Sequence, residues 1–313
     1  MIPRGLPRIL PSRRGYMLFV EHARVEVSDG AVELIQVEGS RGVAYNIPYA
    51  NAAFIMLGEG CSITRDAVRA LASHDVVIGF TGGGGVPLLA ATDNSFPVLL
   101  EPQSEYRPTE FMAQWSQIFF DEVRRLAAAR MLLRERIKKT AWLLEKNPAA
   151  KQLELSSSDY LHLSKTFSAD IENADSVMSL LTAEARYAKK FYRAIAQKSG
   201  LEGFTRSPGS GDDQVNDLLD HANYLAYGAA SVAVHGLGIS FGMAVLHGKT
   251  RRGGLVFDIA DLIKDGLTLP CAFRAACKQT TDQEMRNDTI NTIQNLNLIP
   301  YLFDSIKLIL ESC

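Results

Sequence analysis

The sequence predicts an α+β protein with a small N-terminal β-rich domain followed by a larger, all-helical catalytic domain. Three observations predict this arrangement. Short apolar runs separated by turn residues fill about the first ninety positions, and a polar stretch with Pro97, Pro102 and Pro108 follows. Beyond it, apolar residues recur at three- and four-residue steps. We therefore divide the chain into a β-rich domain at 1–92, a linker at 93–109 and a helical domain at 110–313, and expect segregated layers rather than βαβ winding.

The β-rich region begins with four runs that are typical of a strand meander. They are YMLFVE at 16–21, ARVEV at 23–27, AVELIQV at 31–37 and GVAYNIPYA at 42–50, with Ser-Asp-Gly at 28–30 as a turn. A helix is predicted over 64–73, because Thr64 and Asp66 suit its first turn. Two more strands, DVVIGF and VPLLAA, flank TGGGG at 81–85, which we interpret as a tight turn because no Lys-Ser or Lys-Thr follows it.

The helical region is predicted from apolar periodicity and from helix start and stop signals. The predicted helices cover 110–146, 173–198, 212–235, 255–265, 270–278 and 282–313, with Pro300 interrupting the last.

Composition limits the possible functions. The chain has 313 residues and 47% hydrophobic content, enough for a packed core. Its first fifteen residues lack a signal-peptide core, and no run reaches the roughly 20 apolar residues of a membrane span, so we predict a cytoplasmic protein without membrane contact. The four cysteines are too far apart for a paired zinc motif and are expected to be packing or surface thiols. A net charge of −2 means that any DNA contact must come from local basic patches.

Glu184 is the most informative residue, because it lies on the apolar side of a predicted helix. The apolar residues of that side are Val177, Leu180, Leu181, Ala188, Phe191 and Ile195, and the opposite side carries Arg186, Lys189, Lys190 and Arg193. An unpaired carboxylate in an apolar interior costs several kcal/mol unless a metal, a cation or a proton compensates it. Helix geometry alone leaves two explanations open. Glu184 is a functional ligand, or it belongs to a buried ion pair or a stripe at the protein surface.

A second polar cluster begins at His247, where an apolar run ends. Asp258, Asp261 and Asp265 then share one edge of a short amphipathic helix, and like charges on such an edge repel unless a cation lies among them. One imidazole and two carboxylates suit Mg²⁺ or Mn²⁺, whereas the set lacks the second histidine of a non-haem iron site and the thiolates of structural zinc. Such a metal polarises a phosphodiester and activates a water or sugar hydroxyl, so phosphodiester chemistry is predicted.

Three motifs occur in a specific order and spacing. They are TAEARYAKKFYR at 182–193, DDQVNDLLDHANYLAYG at 212–228 and HGLGISFGMAVLHGKTRRGGLVFDIADLIKD at 235–265. Over nearly its whole length the chain resembles the CRISPR-associated integrase nuclease family, the catalytic subunit of spacer acquisition. The opening MIPRGLPRILPSRRG resembles subtype I-F in particular.

The resemblance implies a divalent metal held by Glu184, His247 and Asp261, with Asp258 as a supporting acid. The D-I-A-D sequence at 258–261 leaves open which of its two acids is the closer ligand. The resemblance also implies a homodimer with an N-terminal dimerisation domain. Two such dimers are bridged by a second CRISPR adaptation protein, which in the I-F branch is fused to a helicase-nuclease. In the implied reaction, the 3′-hydroxyl of captured protospacer DNA attacks a phosphodiester at the edge of a CRISPR repeat.

Further residues are candidates for DNA contact. They are Lys249, Arg251 and Arg252 after His247, Arg206 in a loop, Asn223 and Tyr227 in the second motif, and Arg130, Arg134 and Lys138 at four-residue steps with Arg124, Arg125, Arg136 and Lys139 nearby. Asn223 and Tyr227 could equally be satisfied core residues, and the basic positions could be solvated surface.

Two other functions use the same residues. A stand-alone metal nuclease would have the same ligands without joining activity, because cleavage and joining share a transition state. A non-catalytic DNA-binding or assembly subunit would use Glu184 for structure alone.

Overall fold

The computed structural model describes residues 14–38, 41–49, 51–81, 99–100, 109–207, 213–248 and 253–313. The chain forms two compact units, Met1–Arg107 and Pro108–Cys313, and the first contains the described strands while the second is helical. The predicted fold class is therefore confirmed. The predicted strand VPLLAA, most of TGGGG and most of the linker at 93–109 lie outside the described residues.

The N-terminal unit contains two four-stranded sheets, ordered β1-β5-β7-β8 and β4-β3-β2-β6. Their elements are β1 (Tyr16–Val20), β2 (Ala23–Ser28), β3 (Ala31–Glu38), β4 (Arg41–Asn46), β5 (Ala52–Leu57), β6 (Ser62–Ile63), α1 (Arg65–Ala72), β7 (Val77–Phe80) and β8 (Leu99–Leu100). Strands β2, β3 and β4 form the predicted antiparallel meander, but β1 leaves it to pair in parallel with β5. Strand β8 lies in the predicted linker and pairs with β7.

Strand β5 corrects the expectation that βαβ winding would be absent. It pairs in parallel with β7, and α1 lies between the two in the chain, which makes a βαβ unit. All six residues of β5 are buried, and such a strand has no polar alternation by which a sequence pattern could reveal it.

The C-terminal unit contains nine described helices. They are α2 (Glu110–Phe120), α3 (Glu122–Lys146), α4 (Pro148–Gln152), α5 (Ser157–Asn173), α6 (Val177–Lys198), α7 (Gln214–Gly236), α8 (Gly254–Lys278), α9 (Asp282–Asn295) and α10 (Leu298–Ser312). Helices α4 and α5 were not predicted. The predicted helix 110–146 breaks at Asp121, whose side chain accepts hydrogen bonds from the backbone N–H groups of Val123 and Arg124 and so caps α3. The last break falls at Asn297, which adopts a left-handed conformation, and not at Pro300.

Helix α8 differs most from its prediction, because the two helices expected at 255–265 and 270–278 are one helix of 25 residues. Pro270 lacks the N–H that would bond the carbonyl four residues earlier. The side-chain amide of Asn147 supplies the missing donor, with Nδ2 lying 3.0 Å from the carbonyl oxygen of Gly266 and 3.3 Å from that of Leu267. Nearly every residue of α8 is buried, so it is a central helix and not a short amphipathic one.

Two composition-based predictions can be compared with the described residues. All four cysteines are free thiols, with Cys271 buried and Cys277 exposed, as expected of packing and surface residues. No helix in the described ranges combines the length and apolar character that crossing a bilayer requires.

Gly266 sets the distance between α3 and α8. A Cβ atom at this position would lie 2.4 Å from Cβ of Leu143 and 3.1 Å from the carbonyl oxygen of Thr140. We expect Gly266→Ala to destabilise the helical unit by about 1–3 kcal/mol, because overpacking outweighs the better helix propensity of alanine. Chemical unfolding followed by far-UV circular dichroism measures the change. Gly42→Ala is the control, since its Cβ would make only an ordinary 3.7 Å contact; equal stability of both variants would contradict the prediction.

Candidate metal centre

Three side chains that are distant in the sequence meet in the helical unit. Glu184 comes from α6, His247 from the loop between α7 and α8, and Asp261 from α8. One ligand atom from each lies within 4.8 Å of the others. Glu184 and His247 are partly buried and Asp261 is buried, so the cluster is shielded from bulk water. The structure thus brings together the three residues that the sequence named as metal ligands.

Asp258 fixes the loop that carries His247. Its Oδ2 accepts hydrogen bonds from the backbone N–H groups of Val245 and Leu246, at 2.7 and 3.0 Å. Its Oδ1 lies 2.9 Å from the backbone nitrogen of His247 and 2.8 Å from the Nδ1 atom of the same residue. Both oxygens of this fully buried side chain are occupied. Asp258 therefore orients His247 and is not positioned as a ligand, which separates its role from that of Asp261.

The hydrogen bond at Nδ1 leaves the other ring nitrogen of His247 facing the cluster. The Nε2 atom lies 3.7 Å from Oδ2 of Asp261. A histidine whose second nitrogen is held by a carboxylate is the usual arrangement of a metal-binding imidazole, since the partner fixes the ring orientation and raises its basicity. Gly254 permits the loop to lie close to α8, because a Cβ there would be 2.7 Å from Cβ of Ala244.

Two cations accompany the acids of the cluster, the buried Arg136 and the partly buried Lys264. Arg136 on α3 lies with Nη1 2.7 Å from Oε1 of Glu184 and 3.5 Å from Oδ2 of Asp261. Lys264 on α8 places Nζ 2.8 Å from Oδ1 of Asp261. Glu184 thus forms an ion pair with the buried Arg136 and also borders the candidate metal position. The sequence offered an ion pair and a ligand as alternative explanations, and the geometry is compatible with both at once.

The sequence placed Arg136 beside the candidate DNA-binding stripe, with a solvated surface as the alternative, but the side chain is buried and fits neither. A signal was available. Arg136 lies three or four residues from Leu132, Leu133 and Thr140, which are buried positions of α3, just as Glu184 lies on the apolar side of α6.

The neighbouring charges shift the pKa values of both His247 and Asp261. Burial disfavours the charged imidazole, but the hydrogen bond to Asp258 and the nearby carboxylates outweigh it and raise the pKa of His247 above its ordinary value. Burial also opposes ionisation of Asp261, yet Lys264, Arg136 and His247 hold the pKa of this carboxyl well below its usual range. Asp261 is therefore an ionised acceptor at neutral pH.

The donor set fits a small divalent cation. It offers one imidazole nitrogen with its tautomer fixed and two carboxylate groups within 4.8 Å of one another. Mg²⁺ and Mn²⁺ favour such carboxylate-rich sites, and a single imidazole makes Mn²⁺ particularly acceptable.

Three predicted DNA contacts, Asn223, Arg206 and Tyr227, have partners within the helical unit. Asn223 is buried, and its Oδ1 accepts a hydrogen bond from Thr268 at 2.8 Å, so the structure supports the core alternative for this residue. Arg206 pairs with Asp220 and donates to Asn216, which ties its loop to α7. Tyr227 packs edge-to-face against Phe257. Nζ of Lys264 lies 5.2 Å from the centre of the Tyr227 ring, and the same Lys264 contacts Asp261.

The predicted basic stripe on α3 is largely engaged within the protein. Arg130 donates to the carbonyl of Ala174, and Arg134 makes a two-point contact with Glu172. Lys138 remains mostly exposed, with Nζ 3.9 Å from Glu135. Arg130 and Arg134 therefore have partners within the protein, while the side chains of Arg134 and Lys138 remain exposed to solvent. Lys249, Arg251 and Arg252 lie outside the described residues.

The fold and the cluster together define a class, an α+β protein whose helical unit carries a candidate divalent-metal centre of one histidine and two carboxylates. The family model described as CRISPR associated protein Cas1 matches residues 16–293. The chain therefore belongs to the Cas1 family, which confirms the resemblance seen in the sequence.

Individual relatives agree with this assignment. The CRISPR-associated endonuclease Cas1 of Pseudomonas aeruginosa is 41% identical over 309 residues, covering 97% of this chain and 95% of the relative. The crystal structure of TtCas1 superposes with a TM-score of 0.71 at 21% identity, covering 96% of this chain and 100% of that chain. A casposase bound to its integration product superposes with a TM-score of 0.66 at 13% identity, covering 90% and 82%. The two structures show a shared fold.

Metal binding should depend on the protonation of His247, because only the neutral imidazole can be a ligand. The pKa of His247 is raised above the usual value of about 6.5, so protonation competes with metal binding at a higher pH than for an ordinary histidine. We expect the Mn²⁺ affinity to fall as the pH is lowered through a value above 6.5, by roughly tenfold per pH unit below it. Electron paramagnetic resonance titration of free Mn²⁺ measures the affinity. An affinity that stays constant down to about pH 5 would contradict the role of His247.

Asp258→Asn should misplace His247, because an amide cannot accept all the hydrogen bonds that the carboxylate accepts. We expect a loss of roughly 10- to 100-fold in Mn²⁺ affinity, together with a lower free energy of unfolding. The matched control is Asp282→Asn. Asp282 also contacts a histidine, with its Oδ1 2.7 Å from Nδ1 of His221, but it lies outside the cluster. Equal Mn²⁺ affinity in the two variants would refute the orienting role.

Proposed function

We propose that this chain is a metal-dependent DNA endonuclease and integrase of CRISPR adaptation, which joins protospacer DNA to a CRISPR array. The observation that carries the proposal is the convergence of Glu184, His247 and Asp261 within 4.8 Å. Membership of the Cas1 family and the name endonuclease of the relative at 41% identity support the substrate and the reaction type.

In the proposed mechanism, Glu184, His247 and Asp261 hold Mg²⁺ or Mn²⁺. When bound, such an ion stabilises negative charge on the reacting phosphate and lowers the pKa of a hydroxyl or water. Asp258 keeps the Nε2 atom of His247 facing the site. Lys264 and Arg136 keep Asp261 ionised, and Arg136 also holds Glu184 in place through an ion pair, so both carboxylates are positioned before the reaction.

The proposed joining step is a transesterification. The 3′-hydroxyl oxygen of the protospacer loses its proton and forms a bond to phosphorus. The bond from that phosphorus to the 3′-oxygen of the repeat strand breaks, and this oxygen takes up a proton to become a hydroxyl. One phosphodiester replaces another, so the step needs no separate source of energy. Water in place of the hydroxyl gives strand cleavage at the same site. The casposase with the same fold, which is seen bound to its integration product, supports joining as the second outcome.

We further propose the partners that this reaction requires. Lys249, Arg251 and Arg252 follow His247 directly in the chain, and two arginine forks with one amine suit neighbouring phosphates. The β-rich unit, proposed at 1–92, forms the homodimer, and a second CRISPR adaptation protein bridges two dimers. In the I-F branch, to which we assign the chain, that partner is fused to a helicase-nuclease. The chain acts in the cytoplasm.

One observation favours an alternative, a non-catalytic DNA-binding or assembly subunit. Glu184 is already bonded to the buried Arg136, so its position on the apolar side of α6 can be explained without a metal. The proposal and this alternative differ in one respect that can be measured. Only a catalytic role makes DNA processing depend on the ligand atoms of Glu184, His247 and Asp261.

The test uses two DNA assays, half-site integration into a plasmid that carries a repeat and cleavage of branched DNA. We expect Glu184→Gln, His247→Ala and Asp261→Asn each to lose at least about 100-fold in both, since metal catalysis contributes several kcal/mol. The control is His221→Ala, which removes a histidine–aspartate contact outside the cluster.

The two assays separate the remaining functions. Full activity of the three variants would support the non-catalytic alternative. Cleavage without half-site integration in the unaltered protein, with its partner supplied, would support a stand-alone nuclease.

A further inference from the structure

Arg136 is a buried cation at the centre of the acidic cluster, and the proposed reaction does not use it as a ligand. Its side chain is about 6% exposed. It contacts three carboxylates from two helices, Glu184 on α6 and Asp261 and Asp265 on α8. The guanidinium itself comes from a third helix, α3, so it joins the three helices that surround the candidate metal centre.

Asp265 fixes the guanidinium through two of its nitrogen atoms. The Nε and Nη2 atoms of Arg136 lie 2.8 and 3.2 Å from the two oxygens of Asp265, which is a bidentate contact. Tyr187 donates its hydroxyl to the same carboxylate at 2.8 Å, and the hydroxyl of Tyr160 lies 2.9 Å from that of Tyr187. Arg136 is thereby held in one orientation by groups that are not candidate metal ligands.

Only one nitrogen of Arg136 faces the ligand carboxylates. That nitrogen is Nη1, which lies 2.7 Å from Oε1 of Glu184 and 3.5 Å from Oδ2 of Asp261. A divalent ion bound by the same two acids would share them with this positive charge. Two cations close to one carboxylate repel each other, and inside a protein the repulsion is weakly screened.

The charges explain why a cation is needed there before any metal binds. Glu184, Asp258, Asp261 and Asp265 are four acidic side chains within one cluster, and burying unpaired carboxylates is costly. Arg136 and Lys264 supply two fixed positive charges, with His247 beside them. These cations compensate the acids in the metal-free protein.

We propose that Arg136 is a positioning residue that acts as the resident counter-cation of the metal centre. It holds Glu184 and Asp261 in place when no metal is bound, and it weakens metal binding because it competes for Glu184. This inference deepens the proposed function and rests on it to the extent that Glu184, His247 and Asp261 bind a divalent ion. A residue that only stabilised the fold would not set the affinity for the ion.

The test measures thermal unfolding and Mn²⁺ affinity of the full chain, first in chelator and then with Mn²⁺ alone, without any DNA assay. We expect Arg136→Gln to lower the melting temperature in chelator, because Glu184 and Asp265 lose their partner. We also expect it to bind Mn²⁺ about tenfold more tightly than the unaltered protein, because the ion no longer competes with a fixed charge. Mn²⁺ should then raise the melting temperature of the variant by more than it raises that of the unaltered protein.

A second variant should change the affinity in the opposite direction. Asp265→Asn removes the charge that anchors Arg136, so the guanidinium charge acts more strongly on Glu184, and Mn²⁺ binding should weaken by about tenfold. This variant keeps Arg136 and carries the test if Arg136→Gln does not fold. The matched control is Arg274→Gln, which removes another arginine–aspartate pair of the helical unit, that with Asp288, and should leave the Mn²⁺ affinity unchanged.

The outcomes separate this inference from the proposed function. An unaltered protein that does not bind Mn²⁺ would overturn both. If the unaltered protein binds Mn²⁺ but Arg136→Gln binds it equally or more weakly, the metal centre stands and the competing role of Arg136 fails. If Arg136→Gln does not fold, unchanged or tighter Mn²⁺ binding by Asp265→Asn overturns the inference.

Discussion

The burial of several carboxylates in one helical unit is the constraint on which the site depends. Asp258, Asp261 and Asp265 all lie on α8, which is buried along most of its length, and Glu184 faces them from α6. Acids in such a position require compensation, since uncompensated charge in the interior is costly. Asp258 accepts hydrogen bonds from backbone N–H groups, and Asp261 contacts Lys264. Arg136 contacts Glu184, Asp261 and Asp265, and Tyr187 also donates to Asp265.

The packing of α3 against α8 makes this compensation possible. Gly266 allows α8 to approach Leu143 and Thr140 of α3, and Asn147 donates to the Gly266 carbonyl that Pro270 leaves without a donor. An uninterrupted α8 extends both before and after this contact. Arg136 lies about two turns before Leu143 on α3, and from there it reaches the acids on the other helix. The contacts at Gly266 and Asn147 that hold α3 against α8 therefore also position Arg136 beside the acids.

A site of this kind links metal binding, protonation and stability. The carboxylates that favour a divalent ion also favour Arg136, Lys264 and the protonated form of His247. These cations therefore keep the site assembled and, at the same time, oppose occupation by the ion. Phosphodiester chemistry benefits from such preorganisation, because the groups that stabilise developing charge need not move during the reaction.

Sequence alone predicted the α+β class and the family, and through the family resemblance it predicted Glu184, His247 and Asp261 as metal ligands. Glu184 could be predicted because a polar residue on the apolar side of a helix is visible in the sequence pattern. The family could be predicted because its motifs have a specific order and spacing. The sequence could not distinguish Asp258 from Asp261, which lie one helical turn apart. Only the loop that folds back onto α8 shows that Asp258 is saturated by N–H donors and that His247 presents its other nitrogen to Asp261.

The partner of Glu184 was decided by tertiary structure. Arg136 is 48 residues away in the chain, and its basic neighbours at 130, 134 and 138 made it resemble a solvated position. The fully buried strand β5 and the single helix α8 were missed for a related reason, because each depends on neighbours that are far away in sequence. Local periodicity reports which side of a helix is apolar. The pairing of Arg136 with particular carboxylates depends on how α3, α6 and α8 pack. That packing is set by contacts such as the one between Gly266 and Leu143.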